Sequence, residues 1–131
     1  MLLCSTVATA HDFEVDGIYY NINSSTNKTV YVTCRGSYYK DYDEYYGNVT
    51  IPSVVTYNGI TYRVTGIGAS AFKDCFYLTS VTIPGSVTSI GSGTFEGCTA
   101  LTSIVVDEGN TAYDSRENCN AIIETATNEL R

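Results

Sequence analysis

The residues that could do chemistry by type and spacing are few. Gly66-x-Gly68-x-x-Ala71 matches a dinucleotide fingerprint, in which glycines let a pyrophosphate approach the backbone where a helix begins. Its context argues against that role. It lies inside a repeated stretch, its copy starts with Ser89 in place of the first glycine, and no strand–helix–strand unit of about 30 residues surrounds it. Simple corner glycines explain it better. Asp41, Asp43 and Glu44 gather carboxylates in one short tract, without the third ligand, central glycine and closing glutamate of a calcium loop. No Cys-x-x-Cys pair supports zinc. His11 is the only histidine and lies near the start, so a Ser-His-Asp or Cys-His arrangement has no base in the body of the chain. Asp107-Glu108 reads as a pair of loop neighbours. The expectation is no enzyme, no cofactor and no metal.

What remains is the chemistry of contact. Residues 35–47, RGSYYKDYDEYYG, carry Tyr38, Tyr39, Tyr42, Tyr45 and Tyr46. Tyrosine gives large contact area at low entropy cost, and its ring suits sugar faces as well as protein. The competing reading packs these rings over the N-terminal unit. A second candidate is a pair of rows, Asn48, Ser80, Ser103 and Thr50, Thr82, Val105, which would line the outside of a sheet if their strands align. The competing reading there is ordinary cross-strand contact between hydroxyls.

The elements that must position these residues follow from a repeat. Val64 to Ser80 reads VTGIGASAFKDCFYLTS, and Val87 to Ser103 reads VTSIGSGTFEGCTALTS, with nine of 17 positions identical at an offset of 23. A fixed period in this range marks a solenoid, whose coils bury their apolar faces only against each other. The inward positions are then Val64/Val87, Ile67/Ile90, Phe72/Phe95, Cys75/Cys98, Leu78/Leu101, Val81/Ile104 and Ile83/Val106. Strand alternation turns Ser80 and Thr82 outward. Residues 69–74 and 93–97 are long enough for only a helical turn or two. Pro52 and Pro84 end the strands that precede them. Val49-Thr-Ile-Pro52 anticipates Val81-Thr-Ile-Pro84 at an offset of 32, so the first coil carries an insertion, and Asn58-Gly59 marks it as a hairpin.

Ahead of the repeat, Phe13–Val15 and Ile18–Ile22 flank Asp16-Gly17, another two-residue hairpin signal, and Thr29–Thr33 alternates as a third strand. This unit is expected to cap the first open coil. After Val106 the repeat degrades into an irregular third coil with a strand at 121–124 and a turn at 126–129. The expected organisation is a truncated signal peptide over 1–10, a β cap with the tyrosine-rich loop over 11–47, and repeat coils over 48–131 that are cut short at the C-terminus. Ala8-Thr-Ala10 after a short apolar run carries the signal-peptide reading.

The 131 residues carry a net charge of −7, which disfavours nucleic acid and anionic membranes as partners. No apolar stretch reaches the roughly 18 residues of a membrane span. Of five cysteines, Cys75 and Cys98 occupy one position in successive coils, with side chains parallel, and read as small buried hydrophobes in place of a disulfide.

The motif LTSVTIPGSVTSIGSGTFEGCTALTSI (78–104), with Thr65-Gly-Ile-Gly-Ala-Ser-Ala-Phe72, resembles the BspA-like leucine-rich repeats of bacterial surface proteins. DFEVDGIYYNI (12–22) is similar to the lead-in before such repeats, and YDSRENCNAIIETATNEL (113–130) to their irregular coils. The resemblance implies a β-dominated solenoid of right-handed coils with short parallel strands, located at the cell surface or secreted. It also implies adhesion, with a protein or glycan on host or neighbouring cells as the partner. The alternative is a cap or spacer of a longer solenoid with no ligand of its own.

Overall fold

The computed structural model describes residues 11–34, 45–114, 123–124 and 129–130. Strands β1 (Phe13–Val15) and β2 (Ile18–Ser24) form a hairpin through Asp16-Gly17, whose φ angles of 52° and 84° are those of a tight two-residue turn. β3 (Thr29–Thr33) returns antiparallel to β2. After β4 (Tyr46–Thr50), β5 (Val54–Tyr57) and β6 (Ile60–Ile67) form the inserted hairpin, turning at Asn58-Gly59 with φ of 52° and 79°. β7 (Tyr77–Ile83), β8 (Ser89–Ile90) and β9 (Ser103–Val106) complete the repeat strands. β10 (Tyr113–Asp114), β11 (Ile123–Glu124) and β12 (Glu129–Leu130) pair antiparallel in a small third sheet.

Two parallel rows organise the body. β6 bonds β3 on one side and β8 on the other, so Val32, Ile67 and Ile90 fall in register. β4, β7 and β9 form the second row, aligning Val49, Val81 and Ile104. The N-terminal strand β3 is thus the first member of a row: Val32 O accepts from Gly68 N at 2.8 Å, as Ile67 O accepts from Gly91 N at 2.8 Å. One core runs through the N-terminal unit and the coils, from Phe13, Tyr20, Val30 and Val32 through Val64, Phe72, Leu78 and Val81 to Val106. Phe13 stacks on Tyr57 at 4.4 Å, tying the first hairpin to the inserted one. Burial pushes the Tyr20 phenol up to about 12, with a smaller contribution from Asp16.

All seven inward pairs face the core. First-coil members are fully buried, whereas Phe95, Cys98 and Leu101 of the second coil are partly exposed. Cys75 and Cys98 remain thiols and are not bridged to each other. The Cys98 Sγ donates to Phe72 O at 2.9 Å, and burial raises its pKa, with Asp74 adding to the rise.

The expected helical turns are absent: no helix occurs among the described residues. Residues 68–78 make successive four-residue turns instead, with Ala71 N to Gly68 O, Lys73 N to Ser70 O and Cys75 N to Phe72 O each 3.2 Å. The reason is backbone conformation. Ser70 and Asp74 have φ of 58°, as do their counterparts Gly93 (66°) and Gly97 (78°), and a left-handed residue every four positions breaks a helix before it propagates. The two corners then bond each other: Ser70 N to Ser92 O, Phe72 N to Thr94 O and Asp74 N to Glu96 O, at 2.7–3.0 Å.

Gly66 and Gly68 of the fingerprint-like motif sit on strand β6 and its exit, where a Cβ on Gly68 would meet the Tyr31 ring at 3.1 Å. They provide close packing. The tightest approach to backbone in the stack is at Gly91, where an added Cβ would lie 2.6 Å from the Ala69 Cα and closer still to the Ala69 nitrogen. Both neighbours are backbone and cannot swing aside. Gly91→Ala should therefore destabilise the fold by ~2 kcal/mol or more. The check is the denaturant midpoint, which should fall with the slope unchanged.

Candidate ligand-binding face

Strands β4, β7 and β9 present one outer face. Asn48 pairs with Ser80 and Ser80 with Ser103; Thr50 pairs with Thr82 and Thr82 with Val105. The rows exist because each strand ends against a proline or loop at the same place in its coil, which locks the register. Asn48 and Thr50 are exposed, Ser80, Thr82 and Ser103 partly so. The strands carry no charged residue at all. The Asn48 Oδ1 accepts from the Ser80 hydroxyl at 2.6 Å and from the Thr79 hydroxyl at 3.2 Å. Its amide is thereby fixed, and its two N–H donors have no partner among the described residues.

The tyrosine tract divides. Tyr38, Tyr39 and Tyr42 lie outside the described residues, as do Asp41, Asp43 and Glu44. Tyr45, read from sequence as a partner-contacting residue, is buried at 2% exposure. Its ring packs 4.7 Å from Phe72, its hydroxyl donates to Thr33 O at 2.6 Å, and it accepts from Tyr19 N at 3.0 Å. Tyr45 is a core residue that satisfies two backbone groups and has no surface to offer a partner. Its neighbour Tyr46 points the other way, at 74% exposure, because strand alternation puts successive side chains on opposite faces.

Sequence reasoning missed the partner of Tyr46. Tyr77, 70% exposed, is its register neighbour on β7. The signal was available: Phe76-Tyr77 stands where the next coil has Thr99-Ala100, a departure from the repeat that no packing demands. Asn110 and Tyr113 were also missed. They stand where the coil has Val87 and Ile90, so one more 23-residue step would have found them. Buried Asn110 donates to Pro84 O and Val87 O and accepts from Ala112 N and Tyr113 N, at 2.8–3.0 Å. The Tyr113 hydroxyl accepts from Ile90 N at 3.0 Å.

Two grooves flank the face on its β4 side. One of about 270 Å³ lies between the β1–β2 turn and β4, lined by Asp16, Ile18, Tyr46, Asn48 and Thr50 among others. A larger one of about 440 Å³ runs between the two hairpins, lined by Val15, Tyr20, Pro52 and Val55 among others. His11 packs edge-on against Tyr19. Among the described residues no group of three His, Cys, Asp or Glu side chains could hold a metal, and no helix is long and apolar enough to cross a membrane.

The family model of the BspA-type leucine-rich repeat region matches residues 43–128, in six copies. The chain belongs to the BspA-type leucine-rich repeat family. Solved structures of bacterial leucine-rich repeat proteins resemble this BspA-type chain. One, from Bacteroides ovatus, is 34% identical with a TM-score of 0.63, over 76% of this chain and 24% of its own. A leucine-rich cell surface protein from Faecalibacterium prausnitzii is 31% identical with a TM-score of 0.57, over 74% and 24%. A third, from Bacteroides capillosus, is 32% identical with a TM-score of 0.58, over 73% and 65%. The BspA-type chain thus spans about a quarter of the length of the first two. No curated protein matches it.

Tyr45 and Tyr46 can be separated by experiment. Tyr45→Phe removes the hydroxyl that donates to the Thr33 carbonyl and accepts from the Tyr19 amide, and should cost about 1–3 kcal/mol of stability. Tyr46→Ala should leave the melting temperature within a degree or two, as expected for an exposed side chain. Thermal unfolding of the two variants side by side checks this.

Proposed function

We propose that the chain is a secreted or cell-surface binding module that engages a protein or glycan through the outer face of β4, β7 and β9. The observation that carries this reading is the in-register, charge-free face bearing two of the most exposed aromatic side chains of the described residues, Tyr46 and Tyr77. The two rings stand side by side at the N-terminal ends of β4 and β7, at one edge of the charge-free rows, and exposed aromatics are what binding surfaces concentrate. The fold around it is read as a short right-handed solenoid, with the β1–β3 unit covering its N-terminal end. Binding, not catalysis, is its role, and bacterial surface placement accords with the relative described as a cell surface protein.

The alternative is a structural cap or spacer within a longer surface solenoid. It is favoured by the quarter-length coverage of the two relatives. One experiment distinguishes them. The chain is titrated over immobilised mucin and extracellular-matrix proteins, alongside a Tyr46→Ala/Tyr77→Ala double variant. The binding reading expects saturable binding that weakens by about tenfold or more in the double variant. Absence of binding by this chain, with binding retained by a longer natural array through other coils, establishes the spacer.

A further inference from the structure

We infer that the Tyr46–Tyr77 pair is a stacking platform for an uncharged carbohydrate; this rests on the binding reading above and names its ligand class. The first observation is the cost of the pair. Tyr46 and Tyr77 are 74% and 70% exposed, so neither contributes its ring to the core. The equivalent of Tyr77 in the next coil is Ala100, which shows that the backbone of the coil needs no aromatic there. The two residues are register partners on adjacent parallel strands, roughly 4.8 Å apart at their backbones, so one ligand can reach both rings. A sugar offers aromatic rings the C–H groups on one side of its own ring, while its hydroxyls remain at the edge for hydrogen bonds.

The second observation is what surrounds the rings. Asn48, two residues along β4 from Tyr46, has its carbonyl oxygen engaged by Ser80 and Thr79, so its two N–H donors are held in one orientation and remain unused among the described residues. Thr50 and Thr82 add hydroxyls in the next row. Asp16, across the 270 Å³ groove that Tyr46 and Asn48 also line, supplies a carboxylate acceptor. Fixed donors, hydroxyls and one acceptor beside an aromatic platform are the groups that a ring of hydroxyls requires. At about 270 Å³ the groove lies just below the usual range of about 300–1,000 Å³ for ligand sites, which suits a ring-sized unit better than a folded epitope.

The third observation is charge. The three strands carry none, Asp16 is the one charged group among the described residues that line the groove, and the chain as a whole is at −7. Sialylated or sulfated glycans would meet repulsion from Asp16, and no described residue of the face or groove supplies a cation to answer them. The ligand class is therefore neutral.

The test uses the whole chain against cellohexaose, chitohexaose and lacto-N-neotetraose, with sialylated and sulfated oligosaccharides as the contrasting arm, followed by calorimetric titration. At least one neutral sugar should bind saturably, with affinity unchanged between about 0.05 and 0.5 M salt because no ion pair is made. Tyr46→Ala and Tyr77→Ala should each weaken binding about tenfold, whereas Tyr77→Phe, which keeps the ring, should stay within about twofold. Binding confined to anionic sugars overturns the inference, as does neutral-sugar binding that survives the double alanine variant. If no sugar binds while mucin or matrix protein still does, the carbohydrate assignment fails and the binding reading stands. If neither binds, both fall.

Discussion

Everything in this molecule hangs on the hydrogen bonds that one coil lends the next. Thr88 N reaches Thr65 O and Thr102 N reaches Thr79 O, both at 2.9 Å and both at an offset of 23 residues. The corner residues 70, 72 and 74 donate the opposite way, to 92, 94 and 96. A coil of short strands and four-residue turns satisfies few of its own backbone groups, and buried groups left unpaired are costly. The neighbouring coil must therefore sit at one height and one rotation. That requirement forces glycine at position 91, sets left-handed conformations at 70, 74, 93 and 97, and brings Asn48, Ser80 and Ser103 into one row.

The same constraint explains why polar residues can replace apolar ones inside the stack. Asn110 takes the place of Val87 and makes four hydrogen bonds, so its burial leaves no group unsatisfied. Tyr45 and Tyr113 each bury a ring and spend the hydroxyl on backbone groups of a neighbouring strand or turn. These side chains act as pins where the regular ladder changes: at the junction with the N-terminal unit and after β9.

Much of this was legible from the residues. Asp16-Gly17 and Asn58-Gly59 announced their hairpins because few other pairs accept positive φ at two successive positions. The seven inward pairs followed from the 23-residue offset and strand alternation, and both surface rows from these together with the 32-residue offset of Val49–Pro52 from Val81–Pro84. The corners were misjudged because Ser70 and Asp74 adopt left-handed conformations that their residue types do not advertise, the evidence lying in their glycine counterparts one coil later. Tyr45 was misplaced because tyrosine serves a core and a surface equally well, and composition cannot tell which. Tyr77 was overlooked because its pairing with Tyr46 depends on a register shift between Gly47 and Asn48, although its departure from Ala100 in the next coil marks the position.

A face built by repetition should be extendable by repetition. Inserting a second copy of residues 81–103 directly after Ser103 adds one coil in register, and a matched insertion with one extra glycine at its centre breaks that register. The measurement is the denaturant midpoint of the two extended chains against the parent. The stacking account predicts a single cooperative transition at or above the parent's midpoint for the 23-residue insertion, and a clear loss for the 24-residue one. Equal destabilisation by both would contradict it.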